Sequence, residues 1–176
     1  MNLPLAKSIE TVAEFLAHAL ELENESVERY RQLADSMDVH NNQEVAELFA
    51  RLAIVSEAHA AEVMERAEGE KLPEIPPWEF KWNCPSSPES DCLDGEVSYL
   101  MTAVQALDLA LHNEIRGRDF YAHVACDSPH PAVRQLAGEM AEEESEHVEL
   151  LKDILAKETH TVEATPSDLD PPNIPE

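Results

Sequence analysis

Proline placement constrains this chain more than any other feature. Of its 12 prolines, five fall between Pro73 and Pro88 and four between Pro166 and Pro175; Pro129 and Pro131 sit together, and Pro4 stands near the start. Proline lacks the amide that a helix interior needs, and its ring clashes with the preceding turn. The four stretches between are almost free of breakers, rich in Ala, Leu and Glu, and too long for strands. The sequence predicts an all-α chain of four long helices.

Each stretch carries an apolar stripe in steps of three and four. The first helix is expected from about Ser8 to Met37, with Val12, Leu16, Leu20, Val27 and Tyr30 on its stripe. The second follows the Asn41-Asn42 cap signal and runs from about Gln43 to Ala67, before Gly69. The third is expected to open after Asp94 as N-cap and to reach Cys126, with Val97, Leu100, Val104, Leu107, Leu111 and Tyr121 inward. The fourth starts near Pro131, which suits a first helical turn, and runs to about Lys157.

Two connections are short, Asp38 to Asn42 and Asp127 to His130, so each joins an antiparallel pair. The middle one, about 68–95, is long enough to cross the length of a bundle. Trp78, Phe80 and Trp82 alternate along it, which lets one side pack on the helices. Two helical hairpins joined by a long crossover form the ferritin-like four-helix bundle. That bundle is expected over residues 1–160, followed by a loose, Pro-rich acidic tail over 161–176. The chain also repeats itself. LAHALELENESVERY aligns with LDLALHNEIRGRDFY, Tyr30 over Tyr121, and VAELFARLAIVSEAH aligns with VRQLAGEMAEEESEH, His59 over His147.

A formal net charge of −25 disfavours a nucleic-acid backbone or an anionic membrane as partner and concentrates cations near the surface. Apolar runs are too short for a membrane span, and MNLPLAKSIE lacks the form of a signal peptide. Cys84, Cys92 and Cys126 have no CxxC spacing, so they suggest neither a disulfide framework nor a zinc knuckle. A reducing cytoplasm is the expected location.

The informative residues are those that break the apolar stripes. Glu23 interrupts the first, Ser56 and His59 the second, Glu114 the third, and Glu144 with His147 the fourth. Each lies near the middle of its helix, so antiparallel packing brings them to one level of the core. Buried carboxylates cost several kcal/mol each unless paired or metal-bound. Arg118 is the one obvious cation on the stripes, set against three carboxylates, and metal is the natural remainder. Glu144-x-x-His147 places a carboxylate and an imidazole on one helical face. Such a donor set favours iron or manganese over structural zinc. His18, His40, His112, His123, His130 and His160 read as surface residues. Tyr30 and Tyr121 read as packing residues that could also hydrogen-bond near a metal.

On these motifs the chain resembles the rubrerythrin-type branch of the ferritin-like superfamily, over roughly Ser8 to Lys157. The resemblance implies two irons held by a Glu on the first helix of each half and a Glu-x-x-His on the second. By position, the metal ligands are Glu23, His59, Glu114, Glu144 and His147. Ser56 stands where the first half should carry its metal-bridging Glu, with Glu57 and Glu62 as poorer substitutes. One or two irons per chain are therefore expected, with manganese as the alternative metal. The resemblance further implies reduction of peroxide or oxidation of ferrous iron. A separate protein would supply electrons to a peroxidase, because the family's rubredoxin module has no CxxC counterpart here. The expected assembly is a homodimer. The competing reading is a non-catalytic or mononuclear metal-binding bundle with a degraded site, favoured by Ser56 and Arg118. A third is an acidic metal store.

Overall fold

The computed structural model describes residues 8–81, 98 and 100–164. Four helices, α1 (Val12–Val39), α2 (Gln43–Arg66), α3 (Ala103–Asp127) and α4 (Pro131–Ala164), form a ferritin-like bundle, and no strand occurs among the described residues. α1 packs along α2 and α3 along α4, so the two expected hairpins are present. No described helix is long and apolar enough to cross a membrane.

Capping explains where the helices begin. Thr11, not Ser8, caps α1, and its hydroxyl accepts from the Glu14 amide at 3.1 Å. α3 opens at Ala103 rather than after Asp94, because Thr102 and Gln105 form a reciprocal capping box with bonds of 3.2 and 2.9 Å. Leu100 consequently lies in the preceding turn, 84% exposed, and Met101 takes the buried place. α4 continues to Ala164, past the expected Lys157, since no breaker intervenes before Pro166. Residues 165–176 of the tail lie outside the described residues. The α1–α2 turn passes through Asn41 at φ 60°, a left-handed conformation that asparagine tolerates.

Two hydrogen bonds show how the hairpins face each other. The Ser128 hydroxyl donates to the Ile9 carbonyl at 2.6 Å, joining the start of α1 to the end of α3. The Asn42 side chain donates to the Met101 carbonyl at 2.6 Å, joining the α1–α2 turn to the start of α3. α1 and α3 therefore run antiparallel, and α2 and α3 run parallel. At the α1 start, the Lys81 ammonium donates to the Ser8 carbonyl at 2.8 Å and pairs with Glu14. Lys81 and Met101, which flank the connection, therefore lie at opposite ends of the bundle.

The aromatic alternation is not kept as a simple strand-like face. A 3-10 turn at Pro77–Glu79 leaves Trp78 81% exposed, while Phe80 packs edge-on against His18 at 5.0 Å. Trp82, Cys84, Cys92 and Asp94 fall outside the described residues. His18 is not a surface residue. It is fully buried under Phe80 and Phe120, with Nδ1 donating to the Glu14 carbonyl at 2.8 Å and Nε2 accepting the Lys81 amide at 2.9 Å. Burial lowers its pKa, so it serves as a neutral ring. His40, His112, His123, His130 and His160 are exposed, as expected.

The apolar core is divided. One cluster, including Tyr30, Phe49, Leu107 and Val148, draws on all four helices at the α1–α2 turn end. A second, including Phe15, Val63, Tyr121 and Val133, does so at the other end. Between them lies a polar layer: Glu23 and Ser26 on α1, Ser56 and His59 on α2, Asn113 and Glu114 on α3, Glu144 and His147 on α4.

Candidate metal centre

That layer gathers groups that would rarely share a core without a ligand. Glu23 is 3% exposed and Glu144 6%, while His59, Glu114 and His147 are half-buried. Donor atoms of His59, Glu144 and His147 all lie within 4.8 Å of one another. The two imidazoles stack with centroids 4.5 Å apart and planes 13° from parallel. His147 Nδ1 is 3.4 Å from Glu144 Oε2, the contact the i, i+3 spacing on α4 predicts. Glu23 joins through His59, its Oε2 lying 3.5 Å from Nδ1, and the Tyr121 hydroxyl donates to its Oε1 at 3.3 Å. Glu114 joins through a side-chain hydrogen bond shared with Glu144. The structure thus brings His59, Glu144 and His147 into one cluster, with Glu23 and Glu114 on its flanks.

Electrostatics shows what the layer lacks. Burial, then repulsion from Glu144 and Glu23, holds the Glu114 carboxyl well above the usual carboxylate range. Burial also dominates at Glu144, with Glu23 and Glu143 adding to it and Glu114 and His59 opposing, and pushes it up to about 7. At His59 burial opposes the charged form, but the hydrogen bond to Glu23 and the charges of Glu23, Glu144 and Glu114 outweigh it and raise its pKa to about 9. Without a metal, protons must occupy the positions that a cation would fill. Two imidazoles and three carboxylates converging in this way fit a non-haem iron or manganese ion.

Four sequence expectations need correction or refinement. Arg118 does not counter the buried carboxylates: its Nε and Nη2 donate to its neighbour Asp119 at 3.0 and 2.6 Å. Its place on the stripe fixes its Cα, but the long side chain swings to the rim. Ser56 is buried, three residues before His59 where Glu144 stands before His147, and it supplies no charge. Glu57 pairs with Arg31 on the surface, whereas Glu62 lines the site's cavity from an exposed position. The equivalent tyrosines differ: Tyr30 stacks on Phe49 at 6.0 Å, and Tyr121 packs edge-on against Phe15 while its hydroxyl reaches Glu23.

Sequence reasoning missed Arg66. It lines a cavity of about 120 Å³ together with Glu23, His59, Met140, Glu144 and His147, and it pairs with Glu143 across to α4. Its position two helical turns after His59 was the available signal.

A solved crystal structure of an uncharacterized conserved protein from Magnetospirillum magnetotacticum MS-1 is similar to this chain. The two are 40% identical with a TM-score of 0.64, and the match covers 84% of this chain and 95% of that one. No curated protein matches the chain. The profile of the rubrerythrin family matches residues 14–77 and 105–170, the two hairpins that carry the polar layer. The chain belongs to the rubrerythrin family.

Proposed function

We propose that this protein is a non-haem iron protein whose carboxylate–histidine centre reduces peroxide or oxidises ferrous iron. The convergence of His59, Glu144 and His147 within 4.8 Å carries this reading, and membership of the rubrerythrin family supports it. His59, Glu144 and His147 would hold the ion, while Glu23 and Glu114 offset its charge from the flanks. Tyr121 orients Glu23 through its hydroxyl, and the two apolar clusters keep bulk water from either side of the layer. Bound iron would supply the redox chemistry of the reaction.

With Ser56 in place of a carboxylate, we take the centre to hold one tight iron per chain, and manganese is the alternative occupant. That substitution also favours a second reading, a mononuclear metal-binding bundle without turnover. Electrons for peroxide reduction would come from a separate donor protein. A homodimer in the cytoplasm completes the proposal, and the exposed apolar residues Ile54, Val55 and Leu150 support association.

Anaerobic ferrous loading followed by metal analysis tests the reading. One tight equivalent per chain is expected, lost in Glu144→Ala and in His147→Ala with helix content unchanged. Oxidation by added peroxide or oxygen then separates turnover from simple binding. An unmodified protein that retains no iron after desalting would refute the proposal.

A further inference from the structure

The Phe80–Lys81 end of the crossover meets the bundle at a buried imidazole. His18 Nδ1 faces the Glu14 carbonyl at 2.8 Å, and a carbonyl oxygen only accepts, so this nitrogen carries the proton. Nε2 faces the Lys81 backbone amide at 2.9 Å, and an amide nitrogen only donates, so Nε2 must be bare. The two backbone partners thus fix one neutral tautomer. A second proton would set Nε2–H against the Lys81 N–H, donor against donor. Nor could the charged ring reach water, because Phe80 covers it edge-on at 5.0 Å and Phe120 of α3 stacks on it at 6.4 Å, leaving His18 fully buried.

We propose that His18 is an acid-sensitive latch: a proton on Nε2 and a docked Lys81 amide exclude each other, so acidification releases the Phe80–Lys81 end of the crossover from α1. The latch needs no metal and stands apart from the iron reading. Among the described residues, the charged groups around the ring suit an exchange of partners. On α1, Glu14 lies one turn before His18 and pairs with Lys81, whose ammonium also donates to the Ser8 carbonyl at 2.8 Å. Glu21, one turn after His18, lines an outer groove with Phe80. α3 presents Phe120 to the ring, and beside Lys81 it sets His123 and Asp127, which pair with each other at 3.3 Å. Burial dominates at His18 and holds its folded pKa below 6.5, against the Glu14 carbonyl and carboxylate, with the Lys81 ammonium adding to the lowering. Once the crossover lifts, water reaches the ring, and Glu14 can pair with the imidazolium in place of Lys81. The open form then takes up its proton near the ordinary 6.5, so its share rises by up to about tenfold per pH unit below that value and levels off below the folded pKa.

Residue-resolved amide exchange of the full chain tests this, after chelator treatment so that no metal titrates in the series, and with each rate corrected for the intrinsic pH dependence of exchange. Between about pH 7.5 and 5.5 the protection of the Lys81 amide should fall by up to about tenfold. Phe49 and Leu107, in the apolar cluster at the other end, should keep theirs. His18→Gln, whose side-chain oxygen can still accept the Lys81 amide but takes up no proton, should hold that protection flat. Imidazole carbon shifts measured on the same samples give the ring pKa of His18. The unmodified protein therefore decides the question even if His18→Gln fails to fold, since Lys81 must lose protection over the range in which the ring titrates. Protection at Lys81 that stays flat while the ring becomes charged would overturn the latch. So would an equally steep fall in His18→Gln, or a loss shared at the same pH by Phe49 and Leu107, which would be acid unfolding of the whole bundle.

Discussion

Replacing Glu144 by glutamine should stabilise the metal-free protein while destroying its tight metal site. The fold raises the Glu144 carboxyl from 4.5 to about 7. A group whose folded pKa exceeds its unfolded one contributes fully below the unfolded value, and its contribution is lost as pH rises through the folded value. For Glu144 that window runs from pH 4.5 to about 7. At pH 8 the folded protein therefore carries a penalty of about 3 kcal/mol from this group, against about 1 kcal/mol at pH 5. Glutamine has the shape of the carboxyl group and its amide oxygen can still accept from the protonated Glu114, so it removes the penalty without opening a cavity. The expected gain is about 3 kcal/mol at pH 8, or about 6–12 °C in Tm for a chain of this size, shrinking to about 1 kcal/mol at pH 5. Urea denaturation of chelator-treated protein at both pH values measures it, with metal analysis on the loaded form. A Glu144→Gln protein that is less stable than the parent at pH 8, or equally shifted at both pH values, would refute the burial account of this layer.

Two further outcomes follow from the same geometry. Ser56→Glu should add a second, weaker metal equivalent by restoring the Glu-x-x-His spacing of the other half. Adding Arg118→Val should leave that affinity unchanged, since Arg118 is already neutralised by Asp119; a marked gain in metal titrations would return Arg118 to the site. His18→Leu should cost about 1 kcal/mol at pH 8 by removing the acceptor of the part-buried Lys81 amide. Because His18 has a lowered folded pKa, its stabilisation is present above 6.5 and is lost as pH falls through the folded value, so the His18→Leu deficit should narrow at acid pH.

The hairpins were legible because prolines and short polar turns punctuate the chain at each connection. The polar layer was legible because Glu23, Glu114, Glu144 and His147 break stripes that are otherwise apolar. The start of α3 was misplaced because Asp94 is a good local cap, yet Thr102 with Gln105 offers two reciprocal bonds and prevails. Periodicity located Arg118 by its backbone and could not say which way a long, flexible side chain would turn. His18 sits off the α1 stripe, and contacts from outside its helix bury it, Phe120 of α3 and the returning crossover through Phe80 and Lys81. Arg66 depends likewise on Glu143 from another helix, a pairing that no single-helix pattern contains.

The divided core bears on how the protein comes apart. Each apolar cluster is a complete small bundle end, built from all four helices, and only the helix backbones and the polar layer connect them. In the metal-free protein that junction is held by protonated polar groups rather than by apolar packing, so the ends should behave as two weakly linked cooperative units. An ion held by α2 and α4 would tie the units together at their weakest plane. Metal release would then require only that one end loosen, while the other would preserve the register of the ligands for reloading. Amide exchange should accordingly slow most in the middle turns of the helices when the ion binds, with the apolar ends little changed.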